Sequence, residues 1–82
     1  MVKILYVDDE VINLELFELT FQNEFNIFRS LSPKEGLEIL DKETIDVVVS
    51  DLRMPEMDGI ELIREIKHKY PGKNCILLTA YH

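Results

Sequence analysis

The amino-acid sequence alternates between short apolar stretches and longer stretches with helical periodicity, and this alternation restricts the possible folds most. The pattern predicts strands at residues 3–7, 25–30, 45–50 and 75–79, and helices at residues 9–22, 32–42 and 58–69. Three strand–helix units followed by a fourth strand favour an α/β fold, in which a parallel sheet is flanked by helices. The first, third and fourth strands are nearly continuous apolar runs, which is typical of strands covered on both faces.

Two of the helix starts carry capping signals. Ser32 precedes a proline and stands three residues before Glu35, and Asp58 stands three residues before Glu61. In such capping boxes each of the two side chains accepts a hydrogen bond from the other residue's backbone N–H. We therefore expect Asp58 to be an N-cap rather than part of a reactive site.

The composition narrows the class of protein. Lysine and arginine number 9 and aspartate and glutamate 16, which gives a formal net charge of −7. This charge disfavours nucleic acid and anionic membranes as direct partners. Cys75 is the only cysteine, so we expect no internal disulfide and a reducing, cytoplasmic compartment. The first apolar run is too short for a signal peptide or a membrane span, and residues 1–82 are expected to form one small domain.

Polar side chains follow three of the predicted strands. Asp8 and Asp9 come after the first strand, Asp51 comes after the third, and Thr79 ends the fourth. The carboxyl ends of parallel strands open onto one edge of a sheet, so these groups should converge. Clustered carboxylates repel one another unless a cation lies between them, and Mg²⁺ prefers oxygen ligands. The sequence therefore predicts a magnesium site in which a carboxylate oxygen remains free to attack phosphorus.

Three motifs give the sequence a specific resemblance to a known family. ILYVDDE, VVVSDLRMPEMDGIEL and ILLTAY, in this order, resemble the receiver domain of two-component response regulators, and the resemblance covers the whole chain. It implies a flavodoxin-like fold with strand order 2-1-3-4-5. It also implies a signalling module, phosphorylated by a sensor histidine kinase or a phosphotransfer protein. Such a module is not an enzyme beyond phosphorylating and dephosphorylating itself.

The resemblance implies a role for each residue of the predicted site. Asp51 would be the phosphoacceptor. Asp8 and Asp9 would hold Mg²⁺ together with Asp51 and the backbone carbonyl of Arg53. Thr79 would be the switch hydroxyl, which turns toward Asp51 once that aspartate is phosphorylated.

Compared with a receiver domain, the sequence stops early. His82 stands just after the predicted fourth strand, whereas the family has a further helix, a fifth strand and a fifth helix. The family's phosphoryl-binding lysine and aromatic switch residue belong to that fifth strand. Lys73 cannot replace the lysine, because it precedes the fourth strand and so lies at the opposite edge of the sheet. We therefore expect an incomplete receiver domain, flavodoxin-like, whose phosphorylation is impaired.

Two other functions stay open on the sequence alone. One is an inactive folding or assembly fragment of a receiver domain. The other is a Mg²⁺-dependent phosphohydrolase of the haloacid dehalogenase type, which also uses a strand-end aspartate as its nucleophile. That group has a second aspartate two places after the nucleophile, where this sequence has Arg53. The hydrolase is therefore disfavoured.

The first predicted helix carries two apolar stripes on nearly opposite sides. One contains Leu14, Phe17 and Phe21, and the other contains Ile12, Leu16 and Leu19. A surface helix needs only one such stripe for the core, and we assign the aromatic one to it. The second stripe is predicted to be at least partly exposed as a partner surface, since this region resembles the receiver face that docks on a kinase. The alternative is that Leu16 and Leu19 fill the core.

The fourth strand is expected to form an edge of the sheet. Its sequence, CILLT, is apolar and contains no proline, and an edge of this kind is a template for pairing with another chain. We therefore expect a homodimer or higher oligomer whose interface includes Ile76 and Leu78.

Overall fold

The structure is a computed structural model, and it describes residues 1–79 of the 82-residue chain. Within that range the elements are β1 (Lys3–Val7), α1 (Val11–Phe21), β2 (Asn26–Ser30), α2 (Pro33–Lys42), β3 (Val47–Asp51), α3 (Gly59–Lys69) and β4 (Asn74–Leu78). Ala80 and Tyr81, the last residues of the third sequence motif, lie outside the described residues.

The four strands form one parallel sheet in the order β2-β1-β3-β4. Val7 pairs with both Ser30 and Ser50, and Asp51 pairs with Leu78. The carboxyl ends of all four strands are therefore nearly level and share one edge, as the sequence predicted. The α/β class and the flavodoxin-like order of these strands are confirmed.

The two faces of the sheet are covered differently. The closed face lies under α2 and α3, where buried side chains of the sheet, both helices and the segment before β3 form the larger core cluster: Leu5, Val7, Leu40, Ile45, Val48, Leu62 and Ile66. The open face lies under α1, and its cluster is smaller: Ile4, Tyr6, Leu14 and Val49. Successive side chains of a strand point to opposite faces, which is how one strand supplies both clusters.

An apolar groove of about 340 Å³ remains beside α1 on the open face. Its walls include Phe17 and Phe21 from α1 and Ile76 and Leu78 from β4. The two aromatic side chains assigned to the core are consequently only half-buried. Leu14 is the residue of α1 that is fully buried, so the choice of inward stripe was right but the depth of burial was overestimated.

Element boundaries differ from the expectation by one or two residues. Helix α1 begins at Val11 rather than at residue 9, because the Glu10 backbone N–H donates to the Asp8 side chain and holds the chain extended there. Strand β3 extends through Asp51, which is therefore its last residue. Strand β4 ends at Leu78 and leaves Thr79 just outside the ladder.

Capping interactions fix the starts of α2 and α3. The Ser32 hydroxyl accepts the Glu35 N–H at 3.2 Å, although the Glu35 carboxylate bonds to the N–H of Leu31 instead of Ser32. Asp58 and Glu61 form a complete capping box, with reciprocal bonds of 2.9 and 3.1 Å. The expectation that Asp58 is an N-cap is confirmed.

None of the helices between residues 1 and 79 has both the length and the apolar content needed to cross a bilayer.

Candidate metal and phosphoacceptor site

Three carboxylates from distant parts of the chain meet at the carboxyl edge of the sheet. Asp8 directly follows β1, Asp9 is next to it, and Asp51 ends β3. One oxygen from each side chain lies within 4.8 Å of the others. Asp8 is buried, with 1% of its surface exposed, whereas Asp9 is exposed and Asp51 is half-buried. The cluster therefore has a fixed base and a side open to solvent.

Hydrogen bonds hold the buried carboxylate of Asp8 from three sides. Its Oδ2 accepts the Tyr6 hydroxyl at 2.7 Å and the Asn13 side-chain amide at 3.1 Å. Its Oδ1 accepts the Glu10 backbone N–H at 3.0 Å. Burial, and next the hydrogen bond to Asp8, raise the pKa of Tyr6 above its usual range. Tyr6 therefore stays a neutral hydroxyl donor.

Asp51 bears both a desolvation cost and repulsion from a neighbouring acid. Burial raises the pKa of Asp51 above its ordinary value, and the negative charge of Asp8 raises it further. The ion pairs formed by residues 1–79 join Arg29 to Glu18 and Lys69 to Asp41, so neither neutralises the cluster. A bound cation would remove this repulsion.

The donor set fits a small hard cation. Mg²⁺ binds oxygen ligands at about 2.0–2.1 Å in octahedral geometry, which places ligand oxygens about 3–4 Å apart. The three carboxylate oxygens lie within 4.8 Å of one another, which is compatible with ligands of a single ion. The open side of the cluster leaves room for the several waters that Mg²⁺ keeps.

The loop after β3 is packed tightly against the strand it follows. The Leu52 N–H donates to the Leu78 carbonyl at 3.1 Å, and the Gly59 N–H donates to the Leu52 carbonyl at 2.8 Å. A Cβ on Gly59 would overlap the Asp51 backbone carbonyl and approach Leu77 Cδ1 to 2.6 Å. The first turn of α3 thus lies directly against the backbone of Asp51.

One residue of this loop has an unfavourable backbone conformation. Glu56 has a φ of 70°, and the Met57 N–H closes a tight turn around it by donating to the Pro55 carbonyl at 2.7 Å. This left-handed region favours glycine, and a side chain there is strained.

Arg53 and Thr79, the other residues proposed for the site, lie near it without a described contact to the acids. Arg53 is an exposed loop residue two positions after Asp51. Thr79 is exposed and directly follows β4, beside the end of β3, because Leu78 is the partner of Asp51. Lys73 lies at the opposite edge, where its ammonium group donates to the Ile45 carbonyl.

The two apolar surfaces expected from the sequence are exposed. Ile12, Leu16 and Leu19 point away from the sheet with 57–69% of their surface accessible. In β4, Ile76 is 50% exposed and Leu78 is 40% exposed. Among the described strands β4 pairs with β3 alone, so its outer edge has no strand partner between residues 1 and 79.

Sequence reasoning missed two residues that contact the acids. Tyr6 was interpreted only as part of an apolar strand, and Asn13 only as a helix residue. The signal for Tyr6 was available: side chains two apart on a strand share a face, so a tyrosine two places before an aspartate can reach it. Asn13 offered no comparable signal, because its contact depends on where α1 begins.

A family model supplies the assignment that geometry alone leaves open. Residues 4–82 match the response regulator receiver domain. The chain belongs to this family. Receiver domains are signalling modules rather than conventional enzymes, and the acidic cluster of this receiver domain lies at the strand edge where the family resemblance placed the phosphoacceptor.

Individual relatives agree with the family match. The transcriptional regulatory protein GlrR of Escherichia coli K12 is 43% identical over 79 residues, which cover 95% of this chain and 18% of GlrR. The response regulator TrrA of Thermotoga maritima, in complex with Mg²⁺ and a beryllium fluoride, has a TM-score of 0.93 with this chain. That structure is 35% identical and is matched over 99% of this chain and 71% of its own.

A second structure shows TrrA with a kinase. TrrA in complex with the histidine kinase ThkA has a TM-score of 0.92 and 35% identity, with coverage of 100% of this chain and 72% of that one. The receiver domain described here thus spans less than a fifth of GlrR and about 70% of TrrA.

Proposed function

We propose that this receiver domain accepts a phosphoryl group on Asp51 in a Mg²⁺-dependent reaction and so carries a two-component signal. The observation that carries the proposal is the convergence of Asp8, Asp9 and Asp51 within 4.8 Å at the mouth of the sheet. Asp51 is the acid of this cluster that both ends a strand and reaches solvent.

The chemistry is a transfer from nitrogen to oxygen. A carboxylate oxygen of Asp51 attacks the phosphorus of a phosphohistidine on the donor protein, the new P–O bond forms, and the P–N bond breaks to release the imidazole. Bound Mg²⁺ would neutralise negative charge on the transferring group. The protein would accelerate this transfer mainly by positioning the reacting groups and by compensating the negative charge of the phosphoryl group.

Each site residue has a proposed part in this reaction. Asp8, Asp9, Asp51 and the backbone carbonyl of Arg53 would hold the Mg²⁺ ion. The hydroxyl of Thr79 would turn toward phosphorylated Asp51. Burial supports a rigid role for Asp8, and exposure leaves Asp9 and Thr79 free to adjust on metal binding and phosphorylation.

A phosphorylation experiment tests this function directly. Incubation with phosphoramidate and Mg²⁺ is expected to add one phosphoryl group, detected by mass spectrometry, and chelation with EDTA should abolish the reaction. Asp51→Asn should prevent it, whereas Asp58→Asn, which keeps the N-cap of α3, should not. An unmodified wild-type chain would favour the inactive-fragment alternative. We expect the modified fraction to be small, because no lysine or arginine forms an ion pair with these acids in the part of the chain described.

The partner would be a cytoplasmic sensor histidine kinase or phosphotransfer protein that docks on the outer stripe of α1. Exposure of Ile12, Leu16 and Leu19 supports this docking surface, as does the existence of the ThkA–TrrA complex. Ile12→Asp and Leu19→Asp should slow phosphoryl transfer from a phosphorylated kinase while leaving phosphorylation by phosphoramidate unchanged. Equal rates with the kinase would contradict the docking assignment.

We also propose that the 82-residue chain associates through β4. No strand between residues 1 and 79 pairs with the outer edge of β4, and this edge together with the apolar groove lined by Ile76 and Leu78 supports pairing with a second copy. Sedimentation across a concentration series should show a dimer or larger species, and Ile76→Asp should shift it toward monomer. Ile60→Asp, at a similarly exposed isoleucine of α3, is the control. A compact wild-type monomer at high micromolar concentration would contradict this assembly.

A further inference from the structure

We infer that Tyr6 is a positioning residue for the metal site, because its buried hydroxyl fixes the orientation of the Asp8 carboxylate. The inference rests on the proposed function, since it assumes that Asp8 is a ligand of Mg²⁺. It adds a residue that neither the motifs nor the strand-end pattern singled out.

The geometry leaves the Tyr6 hydroxyl little freedom. Tyr6 lies in β1 on the same face as Asp8, two residues away, and its ring is buried. The ring stacks on Phe17 with centroids 4.3 Å apart and planes inclined by 30°, and Phe17 in turn contacts Phe21 at 4.9 Å. This packing aims the hydroxyl at Asp8 Oδ2, 2.7 Å away.

As a result, the two carboxylate oxygens of Asp8 accept different numbers of hydrogen bonds. Oδ2 accepts two hydrogen bonds, from Tyr6 and Asn13, whereas Oδ1 accepts one, from the Glu10 N–H. A carboxylate oxygen has about two acceptor positions, so Oδ2 is saturated and Oδ1 keeps one position for a cation. Asp8 would therefore bind through Oδ1 alone.

Bulk water has little access to the carboxylate that the Tyr6 hydroxyl contacts. Asp8 is 1% exposed, and a water molecule in place of the hydroxyl would have to enter the aromatic packing between β1 and α1. Without the hydroxyl, Oδ2 would keep only the bond from Asn13, a half-buried residue of α1. Removing a residue that orients a metal ligand typically weakens metal binding by about 10–100-fold.

The first experiment compares two tyrosine-to-phenylalanine substitutions. Tyr6→Phe keeps the ring and removes the hydroxyl, and we expect the Mg²⁺ dissociation constant, measured by NMR titration, to rise about tenfold. Tyr70→Phe is the matched control, because the Tyr70 hydroxyl also donates to a carboxylate, that of Asp41, far from the acidic cluster. Its Mg²⁺ affinity should equal that of the wild type, and unfolding by urea would report any loss of stability in either variant.

The second experiment follows the fluorescence of Tyr6 in a chain that retains the Tyr6 hydroxyl. The sequence has three tyrosines and no tryptophan, so Tyr70→Phe combined with Tyr81→Phe leaves Tyr6 as the only tyrosine. Neutralising its acceptor carboxylate with Mg²⁺ should change Tyr6 emission along the same titration curve as metal binding. A flat emission signal while Mg²⁺ binds would overturn the inference, even if Tyr6→Phe failed to fold.

The outcomes separate this inference from the proposed function. Absence of Mg²⁺ binding by the wild-type chain would overturn both. Equal affinities of wild type and Tyr6→Phe would overturn only the role of Tyr6. Equal weakening by Tyr6→Phe and Tyr70→Phe would show that affinity follows general stability, and would also remove the positioning role.

Discussion

The helices cover the two faces of the sheet to different extents. On the closed face, α2 and α3 bury a continuous apolar cluster and are joined by an ion pair between Lys69 and Asp41. On the open face, α1 covers a smaller cluster and leaves a groove beside β4. The comparison indicates that most of the stability comes from the closed face, whereas the exposed apolar surfaces and the acid-orienting tyrosine belong to the open one.

The largest expected effect tests this division of stability. Ile66→Ala on the closed face, where the side chain is fully buried, should lower the free energy of unfolding by about 2–5 kcal/mol. Ile76→Ala, the same substitution at a half-exposed residue of the open face, should cost less than about 1 kcal/mol. Urea unfolding of both variants at one low protein concentration measures the two losses in unfolding free energy. Equal losses would contradict the conclusion that most of the stability comes from the closed face.

The next effect concerns the close approach of α3 to the end of β3. Gly59→Ala would drive a Cβ into the Asp51 carbonyl and Leu77, and overpacking of this kind costs about 1–3 kcal/mol. Gly72→Ala is the control, because a Cβ there meets no atom within 4 Å. Thermal unfolding should separate the two variants. A Gly59→Ala variant as stable as the wild type would mean that α3 can move away from Asp51 at little cost.

A smaller effect compares two carboxylates, Asp51 and Asp41, whose pKa values are shifted in opposite directions. The pKa of Asp51 is raised by burial and by Asp8, so its contribution to stability is greatest at acidic pH and is lost as the pH rises through the folded-state pKa. Asp51→Asn should therefore stabilise the metal-free chain at pH 7, by up to about 1 kcal/mol. Urea unfolding in EDTA from pH 4 to pH 8 measures it.

Asp41 provides the control of opposite sign. Hydrogen bonds from Lys69, and next from Tyr70, lower the pKa of Asp41, so its contribution is present at neutral pH and is lost as the pH falls through the folded-state pKa. Asp41→Asn should therefore destabilise the chain at pH 7. The same sign for both substitutions would contradict the electrostatic contrast between the two regions.

The smallest effect comes from the strained loop that leads into the closed face. Glu56→Gly relieves the positive φ, but it also increases the entropy of the unfolded chain, so the expected gain in stability is between zero and about 1 kcal/mol. Glu65→Gly, an exposed position inside α3, should instead lose about 1 kcal/mol. Urea unfolding measures both, and a destabilised Glu56→Gly variant would show that the turn is not strained.

The sequence was sufficient to predict what depends on local pattern and on chain direction. Alternating periodicities gave the strands and helices to within two residues, and parallel topology brought Asp8, Asp9 and Asp51 to one edge. It was not sufficient for contacts that depend on how deeply an element packs. The partial burial of Phe17 and the hydrogen bond from Tyr6 to Asp8 both depend on the height of α1 above the sheet, which periodicity does not encode.

Helix α1 has apolar residues on two nearly opposite sides, and this makes its rotation about its own axis a folding problem. A half-turn would bury Ile12, Leu16 and Leu19 in place of Leu14 and the phenylalanines at a similar gain in apolar burial. Hydrophobicity therefore discriminates poorly between the native and the rotated helix, a local source of frustration. The native rotation is selected by polar and aromatic contacts instead: Asn13 reaches Asp8, and Phe17 stacks on Tyr6. The residues that orient the Asp8 carboxylate thus also determine which side of the helix is exposed to solvent.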